Sequence, residues 1–252
     1  MTALIRAELL KLRTRSATGL LLATLTLVTL TVATSVPKAG TARGPVSLHD
    51  PGVLAGVVGI GFAVPVVFVV LLGGLAFTQE FRYGTATATY LGEPRRSRIL
   101  FAKWLSLALA STIISVATLV VSVPLGVTVI TARGGEVSLA PQLWQTIGAG
   151  FVVMAAYAVI GVAVGALVRN QVVAVVGVLV WMLVVEQIVI PAYPVAGRWL
   201  PGGATDAWLQ LGPVLDLDDR LLPAPLGGLL LLVYTAAAVA LASKLTLRRD
   251  VL

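Results

Sequence analysis

Residues 53–77 read "VLAGVVGIGFAVPVVFVVLLGGLAF", and residues 78–104 continue as "TQEFRYGTATATYLGEPRRSRILFAKW". The first stretch has no charged side chain over a length that lets a helix cross a bilayer, which takes about 20 residues. The second stretch carries five of the eighteen Lys and Arg residues of the chain, and another apolar run follows it. This alternation of apolar runs and basic connections predicts helices that cross a membrane.

The composition of the whole chain agrees with that prediction. Its 252 residues are 58% hydrophobic and only 12% charged, whereas soluble domains are about 25% charged. The chain has no Cys and a single histidine, His49, which excludes disulfides, thiolate metal sites and a histidine cluster. The net charge of +7 is distributed as at a membrane surface, so no nucleic-acid partner is predicted.

Six apolar stretches are near or above the length that a transmembrane helix needs. Helix is the predicted state because an isolated strand cannot satisfy its backbone groups in hydrocarbon. The predicted fold is an all-α integral membrane protein that forms one transmembrane domain over residues 1–252. Its first span follows a basic segment, as in a signal peptide, but "SVPKAG" at 35–40 is a poor cleavage site, so a retained helix is predicted. The predicted spans are about 17–36, 53–77, 105–130, 146–168, 172–191 and 223–243.

The distribution of charge predicts that both termini lie in the cytoplasm. With this orientation the cytoplasmic segments carry thirteen basic residues and four acids, and the outer segments carry five basic residues and six acids. Basic residues concentrate on the cytoplasmic side of membrane proteins. Residues 78–104 are then the longest cytoplasmic loop, and residues 192–222 form an outer loop.

The N-terminal segment 2–15 is predicted to form an amphipathic helix in the headgroup layer. Ile5, Leu9 and Leu12 fall on one face, and Arg6 and Arg13 fall on another, a pattern typical of interfacial helices. The alternative is a simple cytoplasmic extension of the first span.

The outer loop 192–222 contains Tyr193, Trp199 and Trp208 together with several Pro and Gly residues. These aromatic side chains either anchor neighbouring helices at the membrane surface or belong to an ordered cap of short helices. The sequence leaves both interpretations open.

No catalytic motif is present. The chain lacks G-x-x-x-x-G-K-[ST], H-E-x-x-H and G-x-S-x-G, so it is predicted neither to be an enzyme nor to bind ATP through a P-loop. Small residues recur at helical spacing, which indicates close contacts between helices, either within one chain or between two. One stripe is Gly52, Gly56, Gly59 and Ala63, and another is Ala158, Gly161 and Gly165.

Two polar features inside the predicted spans are candidates for a transport pathway. Ser111, Ser115, Thr118 and Ser122 share one face of the third span. They line a polar path or bond to the carbonyls of their own helix. Glu186 is the one acid inside a predicted span, and an ionisable group there is a functional candidate by default. As a structural residue it pairs with Gln187, Arg198 or a backbone donor.

The loop 78–104 has more structure than a bare basic connection needs. Glu80 and Arg82 follow the second span directly, Gly84 and Gly92 interrupt the chain, and Pro94 suits the first turn of a new helix. We therefore predict a short helix parallel to the membrane, which docks onto a protein, before a helix that runs through Lys103 into the third span.

The same residues carry a resemblance to a known family. E-F-R-x-G-T at 80–85, x-P-R-R-x-R at 93–98 and the A-K pair at 102–103 resemble the ABC-two permeases, the membrane subunits of type-two ABC exporters. "AELLKLRTR" at 7–15, "GALVRNQ" at 165–171 and "VVEQ…GRWLPGG" at 184–203 look like actinobacterial members.

The resemblance implies a passive membrane subunit in a bacterial cytoplasmic membrane, driven by a separate cytoplasmic ATPase. Two ATPase copies, which bind ATP and Mg, and a second permease copy or a sibling permease are the implied partners besides the lipid bilayer. This chain itself is expected to hold no cofactor. In the family the loop between spans two and three holds a coupling helix that sits on the ATPase. Carried over, Glu80, Phe81, Arg82, Gly84 and Thr85 begin the coupling segment, and Arg95 and Arg96 lie at its far end.

Two alternatives from other classes stay open. One is a stand-alone proton-coupled secondary transporter, in which Glu186 is the only candidate relay group. The other is a non-transporting membrane scaffold that recruits a cytoplasmic partner through the same loop. The substrate is not indicated by the sequence, and export rather than import rests on the resemblance.

Overall fold

The computed structural model describes residues 2–11, 15–39, 48, 50–84, 96–168, 170–215, 217 and 220–248. Over these residues the regular structure is entirely helical, which confirms the predicted class. The helices are α1 (Thr2–Lys11), α2 (Arg15–Ala39), α3 (Val53–Ala63), α4 (Val66–Arg82), α5 (Arg96–Ala132), α6 (Pro141–Val168), α7 (Gln171–Val180), α8 (Glu186–Ala192), α9 (Pro194–Gly197), α10 (Pro201–Trp208), α11 (Gly212–Leu215) and α12 (Ala224–Arg248). A π-helical turn, Trp181–Val185, joins α7 to α8.

Five segments of the described chain are long and apolar enough to cross a membrane. They are Val53–Arg82, Ser97–Ala132, Pro141–Val168, Gln171–Ala192 and Ala224–Lys244. A shorter apolar helix, Leu21–Ser35, lies within α2, where the first span is predicted. The chain is therefore a multi-pass membrane protein, and a sixth crossing by α2 stays a prediction.

The helices on both sides of the predicted loop 78–104 are longer than the apolar pattern indicates. α4 continues to Arg82, and α5 starts at Arg96 and runs through Lys103 without a break, as predicted. At 1.5 Å per residue, the 37 residues of α5 span about 55 Å, well beyond a hydrocarbon core of about 30 Å. The connection shortens to 83–95, and the predicted helix parallel to the membrane falls within 85–95, outside the described residues.

The centre of the bundle is the crossing of α4 and α6. A Cβ added to Gly73 would lie 2.5 Å from the Ala158 carbonyl oxygen, and one added to Gly165 would lie 2.7 Å from the Gly74 carbonyl oxygen. Such spacing is possible only between helices without side chains at the contact. The stripe of Ala158, Gly161 and Gly165 therefore serves packing within the chain.

The described part of the predicted outer loop 192–222 forms short helices, as in the second of the two interpretations. We name α9, α10 and α11 together the cap. It packs on α3, where added Cβ atoms on Gly56 and Gly59 would meet Val214 and Leu211 at 2.5 and 2.7 Å. The ring of Trp208 lies against Gly228 of α12 in the same way. The first stripe of small residues thus also packs within the chain.

The N-terminal helix α1 differs from the predicted one in length and in its buried face. It ends at Lys11, and Leu12 and Arg13 lie outside the described residues. Among residues 5–10, whose burial is described, the acid Glu8 is the buried one, while Leu10 is 58% exposed. The reason is an ionic contact with α5, since α1 packs along the start of that helix.

Candidate functional site

A buried ionic cluster joins three helices beside the predicted coupling loop. The ammonium group of Lys103 on α5 lies 2.8 Å from a carboxylate oxygen of Glu8 on α1 and 2.8 Å from one of Glu80 on α4. It also donates to the Ala76 carbonyl oxygen at 3.1 Å. We name Glu8, Glu80 and Lys103 the ion triad.

The ion triad is stable in its buried position because the cation is fully satisfied. Lys103 is only 1% exposed, and an unpaired ammonium group there would cost several kcal/mol. An ammonium group has three donors, and Glu8, Glu80 and Ala76 accept all three. The triad therefore fixes α1, α4 and α5 to one another at the end of the bundle where the 83–95 connection begins.

The predicted coupling residues divide into buried and exposed positions. Glu80 lies within the ion triad, and the ring of Phe81 packs against Phe77 with centroids 5.4 Å apart. Arg82 is exposed and donates to the Gln171 side chain at 3.1 Å, so it links α4 to the start of α7. The guanidinium group also lies 5.7 Å from the centroid of the Tyr83 ring.

Three further coupling residues occupy the connection and its ends. Gly84 has a φ of +67°, which favours glycine, and this conformation ends the helical run. Arg96 is the first residue of α5. Thr85 and Arg95 lie outside the described residues. A coupling role for the whole set stays a prediction.

A cavity of about 680 Å³ lies between α2, the break of α3 and α4, the α7–α8 segment and the cap. Its size is that of a pocket for a small organic ligand. Most lining side chains are apolar, and they come from every one of these elements. The polar and charged lining residues are Thr31, Thr34, Ser35, Tyr157, Glu186, Gln187, Thr205 and Asp206.

Glu186 lies at the edge of this cavity, directly after the π-helical turn. Its residue is 2% exposed, and one carboxylate oxygen accepts from Trp181 Nε1 at 3.0 Å and from the Gly202 backbone N–H at 3.1 Å. The π turn places Trp181 and Glu186, five residues apart, within reach of each other. Of the partners weighed from sequence, the backbone donor is the one found.

Three residues opposite Glu186 complete the polar end of the cavity. The Thr205 hydroxyl donates to the Pro201 carbonyl oxygen at 2.9 Å. Since that uses its single proton, Tyr157 donates to Thr205 across their 3.1 Å contact. Burial raises the pKa of Asp206 in the cap to about 7, and the charge of Glu186 is the second cause.

The hydroxyl stripe of the third span lies elsewhere. All four side chains are buried, and none of them lines the cavity. Ser111 and Ser115 donate to carbonyl oxygens of their own helix, those of Ala108 and Ser111. Ser122 lies against Gly61 of α3. In this conformation the stripe is a helix contact, so Glu186 is the candidate pathway residue that reaches the cavity.

Several residues of the ion triad and of the cavity are not indicated as site residues by the sequence pattern. Sequence reasoning missed Glu8, Lys103, Tyr157, Thr205 and Asp206 as site residues. Lys103 gives one signal, because it is a lone cation inside the helical run "ILFAKWLSLALA" at 99–110, and buried charges are usually paired. Across the described part of the chain, no group of three or more His, Cys, Asp and Glu residues forms a metal site.

A comparison with protein families identifies the chain. The sequence model described as "ABC-2 family transporter protein" matches residues 4–185, which is well over half of the chain. The match begins in α1 and ends at the π-helical turn, so it includes the whole ion triad. A search of curated proteins finds no significant match. The chain belongs to the ABC-2 family of membrane transporter proteins.

Proposed function

We propose that this chain is the permease subunit of an ATP-driven exporter, in which a separate ATPase supplies the energy. The observation that carries the proposal is the family match over residues 4–185, a range that includes the predicted coupling loop 78–104. The proposed arrangement has six spans, both termini in the cytoplasm of a bacterial cell, and Mg-ATP bound by the partner only.

The proposed docking surface lies where the 83–95 connection leaves and re-enters the bundle. Arg82 and Tyr83 are exposed at the end of α4, with Tyr83 69% exposed, and Arg98 is exposed on the first turn of α5. Tyr83 is a large exposed aromatic with the Arg82 guanidinium over its ring, and exposed aromatic and Arg side chains are typical of a contact that a partner covers. We name Arg82, Tyr83 and Arg98 the docking surface.

In this proposal the ion triad transmits a movement of the docked ATPase to the helices of the bundle. A displacement of the docking surface acts on α4 and α5, because both carry it. Lys103 holds Glu80 and Glu8, so α1 follows the same movement. In this proposal the buried Glu80 acts inside the permease, whereas Arg82 and Tyr83 touch the ATPase.

In this proposal a second permease chain covers the face that carries the cavity. α2 and α7 both line the cavity, and both carry exposed apolar side chains, such as Leu30 on α2 and Val176 on α7. Two copies, or one copy with a sibling, would enclose the cavity between them and form the substrate pathway.

The test is copurification of the tagged chain from its native membranes in mild detergent. The proposal predicts that a P-loop ATPase accompanies the wild type and is lost from the variant carrying Arg82→Ala and Tyr83→Ala. The matched control carries Arg133→Ala and Tyr193→Ala, which removes an exposed Arg and Tyr at the opposite end of the bundle. Loss of the ATPase from both variants, or from neither, contradicts the docking surface.

A proton-coupled transporter is the second candidate, favoured by the burial of Glu186 beside the cavity. It predicts uptake into vesicles that contain the chain without an ATPase, driven by a pH gradient and abolished by Glu186→Gln. The proposed exporter predicts no such uptake.

A further inference from the structure

The cavity has one charged end and an otherwise apolar wall. Glu186 and Asp206 both line that end, while no Lys, Arg or His is among the described residues that line the cavity. In a low-dielectric site two neighbouring acids without a basic partner are costly to ionise, and a bound cation would offset that cost. The cavity therefore has the charge complement of a cation.

The two acids differ in how they are satisfied. Glu186 accepts two hydrogen bonds, from Trp181 and from Gly202. The carboxylate of Asp206, in contrast, makes no hydrogen bond or ion pair with the described part of the chain. A carboxylate that is buried enough for its pKa to rise to about 7 is costly to ionise unless a cation joins it.

The apolar part of the cavity wall indicates an organic cation rather than a metal ion. Aliphatic side chains from several elements, among them Leu27 of α2, Leu71 of α4 and Leu215 of α11, make up most of the wall, and Phe68 and Tyr157 add two aromatic rings. Apolar surface of this extent does not hold a hydrated metal ion, but it binds the hydrocarbon body of an organic molecule. Aromatic rings also attract a delocalised positive charge.

We propose that this cavity binds a hydrophobic organic cation, with the positive charge between Asp206 and Glu186 and the apolar body among the side chains of α2, α4 and α7. The substrate class of the exporter is then an amphipathic amine or a quaternary cation. That the bound cation is the transported substrate rests on the proposed function, but binding itself needs no ATPase.

The test is equilibrium binding of tetraphenylphosphonium to the purified chain in phosphatidylcholine nanodiscs. Tetraphenylphosphonium has a permanent charge, and tetraphenylborate is an anion of the same shape. The proposal predicts saturable binding of the cation and not of the anion. It also predicts that Asp206→Asn with Glu186→Gln weakens cation binding by about tenfold or more, which is about 1.4 kcal/mol, because the double variant removes both acidic groups that face the cation.

The control is Glu136→Gln, which makes the same chemical change at an exposed acid outside the cavity and should leave binding unchanged. Asp206→Asn alone tests the site with both hydrogen bonds to Glu186 intact, and it should weaken cation binding in the same direction. Equal binding of cation and anion, no saturable binding, or unchanged binding in the double variant would each overturn the proposal. Absence of an ATPase from the wild-type copurification overturns the exporter and leaves this binding result unaffected.

Discussion

Replacing Lys103 with Met tests the ion triad, because Met keeps most of the volume and removes the charge. The substitution breaks two charge-assisted contacts of 2.8 Å and leaves two carboxylates whose side chains are only 10% and 8% exposed. Removing one partner of a buried ion pair costs about 3–5 kcal/mol. Glu8 and Glu80 keep other interactions, so we expect the lower end, about 3 kcal/mol.

The same reasoning predicts a rescue. Neutralising both acids together with the cation, as Glu8→Gln and Glu80→Gln in the Lys103→Met chain, removes the charges that the single variant leaves without their cation. Replacing a buried ion cluster by hydrophobic residues of similar volume is often close to neutral in stability, and Gln, although polar, also leaves no buried charge without its counter-ion. We expect the triple variant to recover at least half of the lost free energy of unfolding.

Two assays separate this account from a general packing defect. Unfolding in mixed detergent micelles gives the free energies, and hydrogen exchange of the α1 amides reports whether α1 detaches from α5. We predict faster exchange in residues 2–11 for Lys103→Met and slower exchange again in the triple variant. A stability change below about 0.5 kcal/mol with unchanged exchange in α1 would refute the role given to the triad.

Three other predictions follow from single positions. Gly161→Ala should lower the stability by about 1–3 kcal/mol, because its new Cβ would meet the Val70 backbone. Gly148→Ala is the control and should leave the stability unchanged, because nothing lies within 4 Å of its new Cβ. Equal melting temperatures for the two variants would contradict the α4–α6 crossing. Burial raises the pKa of Asp206 to about 7, so lowering the pH from about 8 to about 6 should protonate its carboxylate and weaken tetraphenylphosphonium binding. Titration of binding should show a much flatter pH profile in Asp206→Asn. Ser122→Ala should leave transport and stability nearly unchanged, because the buried Ser122 hydroxyl has no partner within the described structure; a transport defect would support the polar path instead.

Helix positions could be predicted from the sequence because each depends on local features. An apolar run of 20 or more residues fixes a span in lipid, and the basic residues and Pro94 mark where α5 begins. Even so, the apolar pattern predicts too early an end for α4, because the polar residues Thr78, Gln79, Glu80 and Arg82 continue the helix. Hydropathy reports the solvent around a residue, whereas a helix extends for as long as its backbone stays regular.

The sites could not be predicted because they depend on contacts between distant residues. Glu8 and Lys103 are separated by 95 positions, and nothing local shows that the two side chains meet. The cavity likewise depends on where the cap rests and on the π turn before Glu186. The stripes of small residues have two possible uses in the sequence, contact within one chain or between two, and only the fold shows that Gly56 contacts the cap and that Gly161 contacts α4.

ATP hydrolysis by the copurified complex in nanodiscs tests the central claim most directly, because it asks whether this chain works with an ATPase. The account predicts a complex of two permease chains and two ATPase chains that hydrolyses ATP. Its turnover should fall when Lys103→Met loosens the ion triad, with the ATPase still bound through Arg82 and Tyr83. The account would be contradicted if the chain binds no P-loop ATPase. It would also be contradicted if ATP turnover is the same in the wild type, in the docking-surface variant and in Lys103→Met.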